Sequence, residues 1–117
     1  EAVEVGNLEV VRDYTDVRDV VRGYRLLAER GRPGEIYNLG TGQGLKLTDA
    51  LETFRSLATR PVEVRVDPAR VRPIDLPCLV ADASKLRRDV GWAPEIPIEQ
   101  TLADMLADAR RRVAATG

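Results

Sequence analysis

A strand pattern passes directly into a helix pattern at residues 11–19, which read VRDYTDVRD. From Leu8 to Tyr14 the side chains alternate between an apolar and a polar face, and this period of two predicts a strand. Arg12 falls on the apolar face. Because an unpaired guanidinium among apolar residues carries a large desolvation cost, Arg12 is expected to face an anion. That anion is either a ligand or a carboxylate of the chain, such as Asp13 or Asp67.

A helix is predicted immediately after this strand, from about Val17 to Arg30. Asp16 stands at the expected N-cap, Asp19 lies three residues later in the capping-box position, and apolar residues then recur at helical spacing. Glycine and proline at residues 31–34 end the helix. The apolar segment EIYNL, at residues 35–39, then predicts a buried strand, and this alternation of helix and strand is typical of an α/β fold.

Three more helices and two more strands are predicted in the rest of the chain. They are a helix capped by Thr48 that stops before Pro61, a half-buried strand at residues 62–66, a short strand at residues 79–81, a helix capped by Asp82 that ends at Gly91, and a last helix from about Ile98. The stretch ARVRPIDLP, at residues 69–77, is too rich in proline and charge for a ladder or a helix.

Composition indicates one ordinary domain. The chain has 117 residues, of which 44% are hydrophobic and 32% charged, and its net charge of −1 favours no nucleic-acid surface. Its apolar runs are too short for a membrane span and its N-terminus lacks a signal pattern, so a cytoplasmic location is the default expectation. The lone Cys78 is predicted to be a small buried residue. Because histidine is absent, Cys-His, Ser-His and His-metal chemistry are excluded.

No cofactor or proton-transfer motif can be assembled from these residues. The loop GTGQG, at residues 40–44, could bring backbone N–H groups to an anion, but Leu45 replaces the glycine of a dinucleotide fingerprint and a P-loop ending is missing. A structural turn is therefore favoured over a phosphate cradle. No tyrosine is followed by lysine four residues later, which is the pair that short-chain dehydrogenases use for proton transfer. We therefore assign no catalytic, cofactor-binding or metal-binding residue.

A second arginine stands out in the irregular stretch. Arg72 is followed by Pro73, which rigidifies the loop, and by Asp75 three residues on. Such a platform could present a guanidinium and a hydroxyl-binding carboxylate to a ligand. The alternative is a salt bridge between Arg72 and a neighbouring carboxylate.

Five segments stand out in order along the chain: residues 6–19, IYNLGTG at residues 36–42, RPID at residues 72–75, DASKL at residues 82–86 and Gly91-Trp92. Together they resemble the C-terminal part of the NAD-dependent epimerase/dehydratase family, which comprises extended short-chain dehydrogenases/reductases. The segments most resemble those of the GDP-mannose 4,6-dehydratases and the GDP-4-keto-6-deoxymannose reductases. The resemblance covers nearly the whole chain.

The resemblance implies a substrate-binding role. Arg12 and Arg72 would hold the diphosphate of a nucleotide sugar such as a GDP-hexose, and Asp75 would bind a ribose hydroxyl, although glutamate is more usual there in the dehydratases. Asp19, Asn38 and Trp92 would be structural.

The resemblance also implies an α/β piece without its Rossmann domain, in a parent enzyme that uses NAD or NADP and forms a 4-keto sugar intermediate. The helix from Val17 and the strand at residues 35–39 would normally join the sheet of that domain. Their exposure would favour pairing with another chain, so a homo-oligomer is expected.

Two other classes of function stay open at this stage. The chain could be a free-standing nucleotide-binding or regulatory module, or a structural dimerisation domain whose arginines form salt bridges. A start codon just before Glu1 would favour the module. An upstream reading frame of roughly 170 to 200 residues with a glycine-rich turn would favour the enzyme.

Residues 1–117 alone should show no dehydratase or reductase turnover with GDP-mannose and NAD(P), since the proton-transfer pair and the dinucleotide fingerprint are missing. The measurement is formation of 4-keto sugar by the purified chain. Detectable product would contradict the assignment of catalysis to residues outside this chain.

Overall fold

A computed structural model describes residues 2–73 and 75–117. The helices are α1 (Val17–Arg30), α2 (Leu47–Ser56), α3 (Ser84–Val90) and α4 (Ile98–Thr116). The strands are β1 (Ala2–Val5), β2 (Val11–Arg12), β3 (Leu45–Lys46), β4 (Glu63–Val66) and β5 (Cys78–Leu79), and a 3-10 turn follows β4 at Pro68–Arg70.

The strands form two small sheets. Strand β1 pairs in parallel with β4, so that Ala2 lies opposite Glu63. Strand β2 is the centre of the other sheet, antiparallel to β3 and parallel to β5. Arg12 therefore has Leu45 on one side and Leu79 on the other.

A compact hydrophobic core lies around Trp92. Trp92 and Leu86 are fully buried, Val90 and Ala83 are nearly so, and Leu26, Leu27, Tyr37 and Leu39 pack against this cluster. Gly23 lets α1 approach closely, because a Cβ atom there would lie 2.6 Å from Leu39 Cδ1 and 3.1 Å from Trp92 Nε1. The need for contact with Trp92 thus explains a glycine inside a helix, where it is otherwise unfavourable.

Two buried aspartates fix the start of α1. Asp16 caps the helix by accepting from the Arg18 backbone N–H at 2.8 Å, and it also accepts from Thr101 Oγ1 of α4 at 2.7 Å. Asp19 does not serve as a capping-box residue. Its carboxylate accepts from the backbone N–H groups of Glu95 and Ile96, both at 3.0 Å, while its carbonyl accepts from the indole of Trp92.

The four predicted helices are confirmed, whereas the strands are shorter than predicted. The strand at residues 8–14 is reduced to Val11–Arg12, and the one at residues 79–81 is shifted to Cys78–Leu79. Residues 35–39 lie outside every strand that the structure describes, so this prediction is wrong. A ladder needs a neighbouring strand, and the Ile36 carbonyl instead accepts from Lys85 Nζ at 2.8 Å.

Two predictions about single side chains are also wrong. Thr48 lies inside α2 and its hydroxyl donates to the carbonyl of Leu8, while the N-cap position is Lys46, which makes no side-chain cap. Cys78 is exposed because β5 is an edge strand of its sheet.

One face of α1 is open to solvent. Val17, Val21 and Tyr24, spaced four and three residues apart, are 69%, 59% and 63% exposed. The radius of gyration of 17.3 Å also exceeds the value of about 13 Å that a compact domain of 100 residues has. The chain therefore presents an apolar helix face, as the resemblance implied. Among the described residues, the helices are too short or too polar to cross a membrane.

We expect the purified chain to associate at micromolar concentration through this face. Val21→Glu should shift light scattering towards the monomer, because a buried carboxylate would be costly in the associated state. Arg25→Gln, on the same helix, changes the net charge equally and serves as the control. A monomeric wild-type chain across this range would show that the exposed face does not drive association.

Candidate functional site

The three predicted site residues meet at one cavity of about 250 Å³. Its lining residues come from β2 and the segments on either side of it, from the start of α2, and from the 3-10 turn and the segment after it; they are Asn7, Val10, Arg12, Tyr14, Leu47, Arg70, Arg72 and Asp75. The lining combines three guanidinium groups with one carboxylate, an arrangement suited to an anionic ligand that also carries hydroxyl groups.

Arg12 is held in place by the main chain and by Asp75. Its Nη1 donates to the carbonyls of Val11 and Leu76 at 2.8 and 2.7 Å, and its Nη2 lies 2.6 Å from Asp75 Oδ1. Both side chains of this ion pair are less than one quarter exposed. The expectation that Arg12 faces an anion is met by Asp75, and not by Asp13 or Asp67.

Arg72 differs from Arg12 in having no salt bridge within residues 2–73 and 75–117. It is exposed, at the edge of the cavity, so its guanidinium is available to a ligand.

Sequence analysis did not single out Arg70, which also lines the cavity. Its guanidinium lies 3.3 Å from the carboxylate of Asp67, at the start of the 3-10 turn, and 3.8 Å from that of Glu4 on β1. Its position two residues before Arg72 is the only feature of the sequence that could have pointed to it. Because this stretch has no regular period, the sequence does not show which of its side chains lie on the same side.

Gly6 brings the arginine-bearing loop close to the linker between β1 and β2. A Cβ atom at Gly6 would lie only 2.5 Å from the carbonyl oxygen of Arg70, so no larger residue fits without a shift of the backbone. The parallel pairing of β1 with β4 ends next to this contact, where the Asp67 N–H donates to the Val5 carbonyl at 2.9 Å. These contacts fix Arg70 and Arg72 relative to β2.

Asp13, next to Arg12, binds the glycine-rich loop. Its carboxylate accepts from the backbone N–H groups of Thr41, Gly42 and Ala81 at 3.0, 2.9 and 3.3 Å, and from the Thr41 hydroxyl. Burial opposes ionisation of Asp13, but the hydrogen bonds from Thr41, Gly42 and Ala81 together outweigh it and hold its pKa below the usual value. The loop is thus an anion cradle whose anion belongs to the chain itself.

This use of the loop argues against a dinucleotide phosphate site at residues 40–44. The N–H groups of Thr41 and Gly42 that could approach a cofactor phosphate already donate to Asp13. The tyrosine nearest the loop, Tyr37, donates from its hydroxyl to Asp89 at 2.9 Å. Nor do the described residues bring together a group of acidic or cysteine side chains suited to a metal ion.

Residues 1–105 match the family described as GDP-mannose 4,6 dehydratase. The chain belongs to this family. GDP-6-deoxy-D-mannose reductase of Pseudomonas aeruginosa is 36% identical over 111 residues, which are 95% of this chain and 36% of the relative.

Solved structures of related enzymes have the same fold as this chain over part of their length. RMD from Pseudomonas aeruginosa complexed with NADPH superposes with a TM-score of 0.88 at 32% identity, over 95% of this chain and 36% of that one. UDP-glucose 4-epimerase from Thermotoga maritima, solved with UDP-glucose, gives a TM-score of 0.81 at 30% identity, over 97% and 36%. The chain has the α/β fold of the C-terminal part of extended short-chain dehydrogenases/reductases and spans about a third of the length of these relatives.

Replacing Asp13 by Asn should destabilise the fold by about 1.5 to 3 kcal/mol, because the charge-assisted hydrogen bonds to the loop are lost. Since the pKa of Asp13 is lowered on folding, its contribution is fully present above about pH 4, its unfolded pKa, and is lost as the pH falls through the folded pKa. Urea unfolding at several pH values measures this difference.

The exposed Asp49→Asn variant makes the same change of charge and controls for net charge. A free energy difference between wild type and Asp13→Asn that stayed constant from pH 7 to pH 2 would contradict the role of the ionised carboxylate.

Proposed function

We propose that this chain is the substrate-binding part of an NAD(P)-dependent enzyme that modifies nucleotide sugars, with GDP-mannose 4,6-dehydratase activity as the preferred assignment. The observation that carries the proposal is the meeting of Arg12, Arg72 and Asp75 at one cavity, although they come from separate segments. Arg12 and Arg72 hold the diphosphate of a GDP-hexose, and Asp75 binds a ribose hydroxyl.

The geometry of the guanidinium groups supports a diphosphate ligand. Arg12 is anchored by two carbonyls at its Nη1, so its Nη2 edge is directed at a defined point. Arg72 has no salt bridge to the described residues and can approach from the cavity edge. Because a planar guanidinium forms two parallel hydrogen bonds with phosphate oxygens, two such groups suit the two phosphates of a nucleoside diphosphate.

A reaction that proceeds through a 4-keto sugar intermediate by hydride transfer needs a dinucleotide-binding domain and a proton-transfer pair. The sequence of residues 1–117 contains neither the dinucleotide fingerprint nor the tyrosine–lysine pair. We therefore assign NAD or NADP and the catalytic residues to a Rossmann domain outside this chain, and assign binding and orientation of the substrate to this chain. GDP-4-keto-6-deoxymannose reductase is the alternative activity, because the reductase relative is 36% identical. Nucleotide-sugar epimerase activity is a further alternative.

The exposed α1 face bears on the assembly of the protein. We propose that a Rossmann domain covers this face and that the whole protein is a cytoplasmic homo-oligomer. The spacing of Val17, Val21 and Tyr24 along one stripe of the helix suits packing against a sheet.

A second candidate function is a structural module without a ligand. The ion pair between Arg12 and Asp75 favours it, since the chain itself supplies the anion that Arg12 requires. Such a module gives no role to the guanidinium group of Arg72, which lines the cavity without a salt bridge to the described residues, and we therefore rank it second.

Substitution of Arg12 or of Arg72 tests the proposal. In the full-length protein, Arg12→Ala and Arg72→Ala should each weaken GDP and GDP-sugar binding by roughly ten- to a hundredfold, which corresponds to about 1.5 to 3 kcal/mol for a charge-assisted hydrogen bond. Binding of NAD(P) should stay nearly unchanged, because its site lies in another domain. Isothermal titration calorimetry measures both.

Matched variants separate the fork geometry from charge alone. Arg72→Lys should restore only part of the affinity, because an ammonium keeps the charge without the planar fork. Arg111→Ala, near the exposed end of α4, should change GDP affinity little. If GDP affinity did not respond to Arg12→Ala and Arg72→Ala in folded protein, the site assignment would be lost.

A further inference from the structure

Asp75 faces the side of Arg12 that a ligand needs. The Nη1 group of Arg12 is committed to the carbonyls of Val11 and Leu76, and its Nη2 group contacts Asp75 Oδ1 at 2.6 Å. A phosphate oxygen that binds the Nη2 group of Arg12 therefore shares this group with the Asp75 carboxylate or replaces the carboxylate there.

Asp75 also affects how strongly the cavity attracts an anion, because it adds a negative charge beside the arginines. It is the one carboxylate among the lining residues, which also include Arg12, Arg70 and Arg72. The ion pair is less than one quarter exposed, so solvent screens its interactions only in part. An incoming anion is attracted by the arginines and repelled by Asp75, and it binds only if this repulsion is offset.

A ribose on the ligand can offset the repulsion by Asp75, whereas a simple anion cannot. A carboxylate only accepts hydrogen bonds, and the two vicinal hydroxyls of a ribose are donors that can satisfy Asp75 when it leaves Arg12. Inorganic pyrophosphate and phosphate have no vicinal pair of hydroxyls, and the P–OH groups that they keep at neutral pH belong to the charged group that Asp75 repels. The Asp75 carboxylate thus weakens the binding of anions without a ribose and can stabilise the binding of anions that carry one.

We propose that Asp75 is an internal counter-anion of Arg12, which makes the cavity select nucleoside diphosphates over anions without a ribose. On binding, the diphosphate takes the Nη2 group of Arg12 from Asp75, and the Asp75 carboxylate turns to the ribose hydroxyls. This inference rests on the proposed function and extends it from binding to selectivity.

The test compares inorganic pyrophosphate with GDP as ligands of the full-length protein. Asp75→Asn removes the competing charge, so its affinity for pyrophosphate should rise by about tenfold, a change equal to about 1.4 kcal/mol. Its affinity for GDP should rise less or fall, because the hydrogen bonds to ribose weaken. The ratio of the two dissociation constants, measured by titration calorimetry, should therefore move towards pyrophosphate.

Two further variants make the result specific. Asp75→Ser also removes the charge and should tighten pyrophosphate binding, which a misfolded protein could not do. Glu63→Gln makes the same change of net charge at an exposed site on β4, where the side chain pairs with Arg65 outside the cavity, and should leave both affinities unchanged. A rise in pyrophosphate affinity in Glu63→Gln equal to that in Asp75→Asn would reduce the effect to net charge and overturn the proposal.

The outcomes also separate this inference from the function on which it rests. If Arg12→Ala and Arg72→Ala weaken GDP binding but Asp75→Asn and Asp75→Ser do not tighten pyrophosphate binding, the cavity binds nucleotides and Asp75 is only a support for Arg12. If GDP affinity is independent of both arginines, the cavity is not the nucleotide site, and the selectivity role of Asp75 is overturned with it.

Discussion

Three aspartates in the segment VRDYTDVRD, each three residues from the next, tie distant parts of the chain to one point. Asp13 accepts hydrogen bonds from the loop after residue 40 and from Ala81, Asp16 accepts from α1 and α4, and Asp19 accepts from the link before α4. Carboxylates that leave water lose hydration energy, so such positions are stable only when several donors face them. The hydrogen bonds of these aspartates satisfy that requirement and hold together a chain whose hydrophobic core is small.

The candidate site inherits its geometry from this arrangement. Arg12 lies on a two-residue strand directly before Asp13, and its neighbours in the sheet come from residues far along the chain. Arg70 ends the 3-10 turn and Arg72 lies in the irregular segment after it, and the contact of Gly6 with Arg70 and the pairing of β1 with β4 hold this part of the chain in place. The site is therefore built where two irregular segments meet, and its stiffness comes from main-chain contacts.

Apolar periodicity in the sequence predicts α1, α2 and α4, whereas α3 is predicted from its end signals; Gly91 has a φ of 73° where α3 stops. The strands were harder to predict, since two-residue ladders have no period and residues 35–39 lack a neighbour to pair with. The settings of Arg12 and of Arg72 with Asp75 in the sequence singled these residues out, and resemblance to a family supplied their ligand-binding roles, whereas the ion pair between Arg12 and Asp75 was missed. Pairing across 63 residues leaves no signal in local spacing.

The long separation of these contacts has a kinetic consequence. Three hydrogen bonds that tie the start of α1 to the rest of the chain span sequence separations of 73, 77 and 85 residues. Strand β1 pairs with β4 although α1 and α2 lie between them in the sequence. Closing such loops costs entropy before any contact compensates, and chains dominated by non-local pairing fold slowly. Nascent helices would therefore precede the sheets on the folding pathway, and the arginine cavity would be among the last features to assemble.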